Sequence, residues 1–269
     1  MHSPIAFASL IALGSRVVNA WTPAVGDSWN YNLITPVKVN AEVDVVFIDM
    51  DYDDVTKTIR KLHRRDKAAV CYISIGSWEN WRDDADDFPS SALGNDLADW
   101  EGEKWLDVTN SEVRAIMAAR VDKAASLYCD GVEPDNMDVY TQEDSGVDVS
   151  EADQISYNTW FAGIVQEAGM KVGLKNTVEL VEGLVDSFDF AINESCFVWD
   201  ECDAYEDTFL AQGKPVFNVE YVDNVDMCDE ANALGMDTII KTKELSKHFC
   251  SCADPSRDAQ CKRKVLTKN

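Results

Sequence analysis

The sequence predicts an α/β protein with a single (β/α)₈ domain, a TIM-type barrel. Eight short, mostly apolar extended segments recur along the 269-residue chain, and segments with the helical spacing of apolar residues separate most of them. This alternation is typical of a parallel sheet, and eight strands close a barrel of about this length. An open doubly wound sheet is the alternative. No Gly-x-Gly-x-x-Gly follows the first strand, which disfavours its dinucleotide-binding form.

The predicted strands share an apolar run that ends at a polar or acidic residue. Residues 43–49 are almost all apolar, which is typical of a parallel strand buried on both faces. Residues 28–33 instead alternate large and polar side chains. In chain order the strands are predicted at 28–33, 43–49, 68–75, 131–133, 171–176, 188–194, 215–221 and 237–241.

Helical patterns follow most of these strands. Asn110 or Ser111 is a favourable N-cap for the helix after the third strand, and Gly169 is a natural C-cap for the next one. The stretch that follows Gly76 is predicted as a long loop, with a brief extended segment at 105–108. The helices are predicted near 55–62, 113–127, 151–168, 178–185, 205–212 and 227–234.

The charge of the chain limits its partners. The net charge is −25 and the pI is about 4.3, which argues against nucleic acid, because phosphate contacts need Lys and Arg. It also disfavours anionic membrane surfaces. An acidic protein attracts cationic ligands, although acidity also serves solubility. We expect no nucleic-acid partner, no membrane association once the leader is removed, and a monomer.

The N-terminus resembles a secretory signal. An apolar run at 4–14 is too short to span a bilayer, and Val18-Asn19-Ala20 fits the small-x-small pattern before a cleavage site. The domains are therefore predicted as a signal peptide at 1–20, a barrel at 21–249 and a Cys-containing extension at 250–269. A secreted, extracellular protein is expected.

Eight cysteines fit an oxidising compartment. Cys250-Ser251-Cys252 lacks the spacing of a zinc site, so disulfides are favoured. We expect Cys196 and Cys202 to close a short loop and the C-terminal cysteines to hold the tail. Cys71 and Cys129 lie in apolar surroundings, and a free buried pair stays open there. Connectivity does not follow from the sequence.

Acidic or polar side chains end five of the predicted strands. In a barrel these ends meet on one face, which is the face where such enzymes react. A single Asp at a strand end is usually a helix cap, but five strands that each deliver a polar group indicate a functional cleft. These residues are Asp49, Asp51, Asp135, Lys175, Asn176, Glu194, Glu220 and Tyr221.

The segment 130–138 carries four acidic residues, and Pro134 holds the preceding residue in extended geometry. Carboxylates crowded at a strand end raise the pKa of at least one of them, which general acid–base catalysis uses. An acidic surface loop is the alternative. Glycoside hydrolysis needs two carboxylates and no cofactor, and Asp135 and Glu194 are the best pair.

Other chemistries fit less well. No Gly-x-Ser-x-Gly elbow is present. His2 is in the signal, His63 falls in a surface-helix pattern and His248 is near the tail, which leaves no credible Ser-His-Asp triad or His-based metal centre. We expect no metal and no cofactor. A carboxylate-only magnesium site built from Asp49, Asp51 and Asp135 is the remaining alternative.

Several motifs resemble glycoside hydrolase family 114, the endo-α-1,4-polygalactosaminidases of fungi and bacteria, over about residues 29–241. The motifs are Trp29-Asn30-Tyr31-Asn32-Leu33, Phe47-Ile48-Asp49-Met50-Asp51, Cys71-Tyr72-Ile73-Ser74-Ile75-Gly76, Asp130-Gly131-Val132-Glu133-Pro134-Asp135-Asn136 and Ile192-Asn193-Glu194. The resemblance implies a (β/α)₈ barrel and hydrolysis of internal α-1,4 bonds in cationic, galactosamine-containing polysaccharide such as galactosaminogalactan, a biofilm component.

The resemblance also implies residue roles. Asp135 would be the nucleophile and Glu194 the acid/base. Trp78 and Trp81 would stack on sugars. The substrate subsites would be lined by Tyr31, Asp49, Asp51, Lys175, Asn176, Glu220 and Tyr221. Two competing hypotheses are a non-catalytic barrel that binds amino-sugar polysaccharide and an α-galactosidase-like enzyme that acts on neutral sugars.

Overall fold

The structure is a computed structural model that describes residues 21–39, 42–254 and 261. The predicted signal peptide and most of the predicted C-terminal extension lie outside these residues. The strands are β1 (Trp29–Tyr31), β2 (Val45–Asp49), β3 (Ala68–Ser74), β4 (Ser77–Glu79), β5 (Leu93–Asp96), β6 (Glu103–Leu106), β7 (Gly131–Asp135), β8 (Lys171–Lys175), β9 (Phe190–Glu194), β10 (Val216–Glu220), β11 (Asp237–Ile240) and β12 (Cys250–Ser251).

Each of the six predicted helical regions is present, and one short helix between the fourth and fifth of them was not predicted. The helices are α1 (Val55–His63), α2 (Ser111–Ser126), α3 (Glu151–Glu167), α4 (Val181–Leu184), α5 (Cys196–Trp199), α6 (Asp203–Tyr205) and α7 (Cys228–Leu234). A π-helical turn at Glu206–Leu210 continues α6, and 3₁₀ turns lie at Ala85–Asp87, Ser90–Ala92, Val139–Thr141, Val178–Leu180 and Val185–Ser187.

Eight parallel strands form the barrel in the order β1-β2-β3-β7-β8-β9-β10-β11. Trp29 Nε1 donates to the carbonyl of Asp237 at 2.6 Å, which joins β1 to β11 and closes the ring. β12 adds to β11 in antiparallel orientation. The predicted single-domain (β/α)₈ barrel is confirmed, and each of the eight predicted strands is present.

Aromatic side chains fill the barrel interior beneath the strand ends. Trp29, Phe47, Phe190 and Phe217 form one cluster with ring centroids 5.0–6.1 Å apart. Gly173 leaves room for this layer, because a Cβ there would lie only 2.2 Å from Ile192 Cδ1. The interior is therefore packed, and the cavity lies above this layer, at the carboxyl ends of the strands.

The segment between β3 and α2 is more ordered than the predicted long loop. β4, β5 and β6 form an antiparallel sheet, here called the excursion sheet, with β6 in the centre. Arg120 on α2 anchors the turn that follows β4 by binding Asp84 through two nitrogens at 2.7 and 2.8 Å, and it donates to the Ser74 carbonyl at 2.9 Å. The strands are three or four residues long and rich in polar residues, so they carry little periodicity.

All eight cysteines form disulfides: Cys71–Cys129, Cys196–Cys202, Cys228–Cys252 and Cys250–Cys261. The predicted Cys196–Cys202 bridge is confirmed. Cys71 and Cys129 are bonded to each other, so the alternative of a free buried pair was wrong. Among the described residues no helix is both long and apolar enough to cross a membrane.

Candidate active site

A cavity of about 430 Å³ opens at the carboxyl ends of the barrel strands. Seven of the residues predicted from the sequence line it, namely Tyr31, Asp49, Trp81, Asp135, Lys175, Asn176 and Glu194. The excursion sheet and the residues next to it supply a second wall. That wall contributes Glu79, Trp81, Arg82, Leu97, Trp100, Glu103 and Trp105.

Lys175 joins the two predicted catalytic carboxylates. It is the last residue of β8 and is only 1% exposed. Its Nζ lies 2.9 Å from Asp135 Oδ1 and 3.2 Å from Glu194 Oε2. Because both contacts share one nitrogen, the two oxygens lie no more than the sum of these distances, about 6.1 Å, apart. One buried cation therefore sets the spacing of the pair.

Asp135 is held in its ionised form. Burial by itself would raise the pKa of this carboxyl, but the ammonium of Lys175 and hydrogen bonds from Lys175, the Asn136 backbone and Tyr72 outweigh burial and hold the pKa below its usual value. The Tyr72 hydroxyl donates to Oδ2 at 3.1 Å. Asp135 is thus a fixed anion at neutral pH.

Glu194 is held from two sides. Lys175 contacts its Oε2, and the Tyr221 hydroxyl donates to its Oε1. The backbone N–H of Glu194 donates to the Asn176 side chain at 2.9 Å. Its carboxyl is therefore oriented by neighbours on β8 and at the end of β10.

The chain turns sharply after each of the three charged residues. Asn136, Asn176 and Ser195 directly follow Asp135, Lys175 and Glu194 in sequence, and their φ angles are +59°, +47° and +70°. Non-glycine residues in this left-handed region carry a conformational cost that often accompanies functional sites. The turns end the strands where the three side chains reach the cavity.

Beneath this pair lies a third carboxyl, that of Glu133. Its Oε1 accepts a hydrogen bond from Tyr31 Oη at 2.5 Å and lies 3.4 Å from Lys175 Nζ, whereas Oε2 is buried with no hydrogen-bond partner. Burial raises the pKa of Glu133 to about 8 against the attraction of Lys175. Glu133 is therefore mainly neutral at pH 7 and adds little negative charge next to Lys175.

Glu133→Gln is expected to reduce the pH dependence of stability. The folded protein keeps a proton on Glu133 up to pH about 8, whereas an unfolded Glu releases it near pH 4.5. The stabilisation is therefore complete below about pH 4.5 and is lost as the pH rises to about 8. Relative to the variant, wild type should lose up to about 1.4 kcal/mol of unfolding free energy per pH unit.

Urea unfolding at several pH values between 5 and 8 measures this difference. The exposed Glu167→Gln is the matched control and should run parallel to wild type. If the gap between wild type and Glu133→Gln is the same at every pH, Glu133 is not protonated as described.

Not every residue predicted for the site reaches the cavity. Asp51 pairs with Arg82 at 3.1 Å and with Lys123. Trp78, on β4 of the excursion sheet, donates to the Ala85 carbonyl at 3.0 Å. Neither is among the residues that line the cavity, although Trp81, half exposed at 52%, is.

The predicted Glu220 and Tyr221 separate because successive strand residues point to opposite faces. Glu220 is fully buried outside the barrel interior and accepts hydrogen bonds from the Phe197 N–H and the Asn218 side chain, both at 3.1 Å. Tyr221 points toward the site and bonds to Glu194. Tyr221 therefore contacts the predicted catalytic carboxyl of Glu194 and does not itself line the cavity.

Arg82 occupies the carboxylates of the magnesium alternative. Its Nη1 lies 2.8 Å from Asp49 Oδ1 and 3.1 Å from Asp51 Oδ2, and its other nitrogens bind Glu79. Asp135 meanwhile faces Lys175. In the part of the chain that the structure describes, no group of three or more His, Cys, Asp or Glu side chains is placed to hold a metal ion.

The second wall of the cavity, formed by the excursion sheet and the residues next to it, contains residues that the pattern of polar strand ends did not predict. Glu103, Trp100 and Trp105 do not follow a barrel strand, so the rule that found Asp135 and Glu194 does not reach them. One signal was present, since four of the eight Trp residues in the chain fall between 78 and 105. Trp100 is 57% exposed at the cavity, and an exposed Trp at a cavity is an interaction surface.

Comparisons with known proteins agree with this architecture. The crystal structure of Aspergillus fumigatus Ega3 in complex with galactosamine is 36% identical, with a TM-score of 0.80 over 86% of this chain and 97% of that one. The glycoside hydrolase domain of PelA from Pseudomonas aeruginosa shares the fold at 14% identity, with a TM-score of 0.64 over 81% and 94% of the two chains. No curated protein sequence matches significantly.

The family model described as glycoside-hydrolase family GH114 matches residues 12–257, which is most of the sequence. The match confirms the family that the motifs at the strand ends resemble. The chain therefore belongs to glycoside hydrolase family GH114 and is a glycoside hydrolase.

Proposed function

We propose that this enzyme cleaves internal α-1,4 linkages in galactosamine-containing polysaccharide, with Asp135 as nucleophile and Glu194 as acid/base. The observation that carries the proposal is the pair of carboxylates on one buried cation, within about 6.1 Å of each other through Lys175. Ega3, which was crystallised with galactosamine, is 36% identical over 86% of the chain. That likeness supports an amino sugar as substrate.

The spacing favours retention of configuration. Retaining glycosidases place their carboxyl groups about 5–5.5 Å apart, whereas inverting enzymes need about 6.5–9.5 Å to admit water. The two oxygens on Lys175 fall below the inverting range. Asp135 attacks the anomeric carbon and forms a glycosyl–enzyme ester, while Glu194 protonates the departing oxygen. Glu194 then takes a proton from the water that breaks the ester.

The remaining site residues support these two. Tyr31, Asp49 and Asn176 line the cavity and bind the sugar, and Trp81 provides a stacking surface. Lys175 orients the pair, and Tyr221 holds Glu194. Asp51, Trp78 and Glu220 lie outside the cavity lining. Asp51 fixes Arg82 beside Asp49, Trp78 bonds to the Ala85 carbonyl next to the excursion sheet, and Glu220 holds the Phe197 N–H outside the barrel interior.

The activity is tested by incubating purified protein with a partly deacetylated α-1,4-galactosamine polymer and sizing the products. Short oligosaccharides that appear early, while long polymer remains, indicate internal cleavage. Monosaccharide alone would contradict an endo mode. Binding without cleavage would favour the non-catalytic barrel, and cleavage of neutral α-galactosides would favour the α-galactosidase-like alternative.

Activity on the cationic polymer is expected to fall with salt. The chain carries a net charge of −25 and would attract a polycation. Salt screens this attraction, because the Debye length falls from about 30 Å at 0.01 M ionic strength to about 3 Å at 1 M. We expect kcat/KM to drop by roughly tenfold or more across this range. A fully N-acetylated polymer is the neutral control, and equal salt dependence on both polymers would contradict steering.

We further propose that the protein is extracellular. Its four disulfides are typical of secreted proteins, and the predicted signal at 1–20 agrees with them. Fractionation of a culture that expresses the full chain measures this, with N-terminal sequencing of the secreted form expected to begin at Trp21.

A further inference from the structure

Glu103 begins β6, the central strand of the excursion sheet, and its buried carboxyl lines the cavity. The residue is only 5% exposed. Its Oε2 accepts a hydrogen bond from the Ser77 hydroxyl at 2.7 Å. Oε1 accepts no hydrogen bond from any described residue, and it is not among the polar atoms that are sealed from solvent. Only a group inside the cavity can therefore donate a hydrogen bond to Oε1.

Four of the other carboxylates of the cavity already have a cation. Asp49 and Glu79 pair with Arg82, and Asp135 and Glu194 pair with Lys175. Glu103 forms no ion pair with a described residue. A buried carboxyl without a cation costs free energy, so its place at the cavity indicates a ligand that supplies the charge.

Two neighbouring carboxylates make a negative charge on Glu103 still less favourable. β4 pairs Glu79 directly opposite Glu103, and like charges in opposed positions repel. Burial raises the pKa of Glu103 to about 7, and the charges of Glu79 and Asp135 add to the rise while Ser77 and Arg82 oppose it. A cation in the cavity would relieve both effects.

The local geometry also suits an ammonium group on a sugar. Residues two apart on a strand share a face, so Trp105 lies beside Glu103 on β6, and both line the cavity. An indole ring attracts a cation over its face and packs against a sugar ring. Ser77 links Glu103 to Asn136, whose amide lies 3.2 Å from the Ser77 hydroxyl. Asn136 directly follows Asp135, so Glu103 lies near the proposed point of cleavage.

We propose that Glu103 binds the protonated amine of a galactosamine residue in the cavity and so determines the preference for deacetylated over N-acetylated polymer. The proposal rests on the proposed function, since it names how that substrate class is recognised. An N-acetyl group carries no charge and would leave the Glu103 carboxylate unpaired.

Glu103→Gln tests the proposal, because glutamine keeps the volume and the acceptor for Ser77 but removes the charge. On fully deacetylated polymer the variant should lose roughly 10- to 100-fold in kcat/KM, mainly through KM, as expected for a hydrogen bond to a charged group. On N-acetylated polymer it should match or exceed wild type. The exposed Glu101→Gln is the matched control and should behave as wild type on both.

Two results would overturn the proposal. Equal losses of Glu103→Gln on both polymers would show a structural role. A selective loss in Asp138→Asn but not in Glu103→Gln would assign the amine to Asp138, another partly buried carboxyl in the cavity wall without an ion pair to a described residue.

A binding measurement separates this proposal from the proposed hydrolysis. NMR titration of the Asp135→Asn variant with galactosamine and with N-acetylgalactosamine needs no turnover. Galactosamine should bind more tightly, and adding Glu103→Gln should remove the difference. If galactosamine does not bind, or binds equally in both variants, the assignment to Glu103 fails even where the polymer is cleaved.

Discussion

Asp135→Asn is expected to lower hydrolysis of the galactosamine polymer by about 10³-fold or more, and Glu194→Gln by about 10²- to 10⁴-fold. Asn cannot form the ester that Asp135 forms, so the covalent route is lost. Gln cannot donate a proton to the leaving oxygen, although the nucleophile remains. Initial rates of product release measure both. The exposed Asp53→Asn is the control and should retain wild-type activity.

The two variants should also respond differently to a better leaving group on the substrate. With an aryl α-galactosaminide, whose leaving group needs no proton, Glu194→Gln should recover much of the first step and accumulate the glycosyl–enzyme. Azide should then accelerate its turnover and release an α-glycosyl azide. Asp135→Asn should gain nothing from a better leaving group. If Asp135→Asn is the variant that the aryl substrate rescues, the two roles are reversed.

Lys175→Met is expected to lower both stability and activity. The substitution leaves Glu133, Asp135 and Glu194 crowded with no cation, and removing one partner of a buried ion pair costs about 3–5 kcal/mol. Activity should fall because the spacing of the carboxyls is no longer fixed. Urea unfolding and initial rates on the same preparation measure the two effects.

Lys171→Met is the matched control from the other end of β8. Lys171 pairs with Asp189 at 2.8 Å but is 35% exposed, so its loss should cost about 0–1 kcal/mol. The deficit of Lys175→Met should shrink as the pH falls, because a protonated Asp135 no longer needs the cation that holds its pKa low. Equal costs for the two Lys variants would contradict the central role of Lys175.

The barrel could be predicted because its strands are buried on both faces and leave continuous apolar runs. Polar residues at the ends of those runs located Asp135, Lys175 and Glu194, which do meet at one cavity. The role of Lys175 could not be predicted in the same way. Sequence places it at a strand end, but its contacts with three carboxyls depend on side-chain directions across β7, β8 and β9.

The other features that could not be predicted from the sequence also have local causes. Whether Glu220 or Tyr221 faces the site depends on one residue of register, because alternate strand positions reverse direction. The excursion sheet was missed because its strands are short and polar, and Glu103 was missed with it. Such a residue is recognised only when the cavity it lines and the partners it lacks are visible.

The anomeric configuration of the first product tests the central claim most directly, because it reports on hydrolysis and on the carboxylate geometry together. Proton NMR during the first minutes on deacetylated α-1,4-galactosamine polymer resolves the new reducing ends. The pair held by Lys175 predicts that α-anomeric ends appear first and then mutarotate. New ends that first appear as the β-anomer, or no new ends at all, would contradict it.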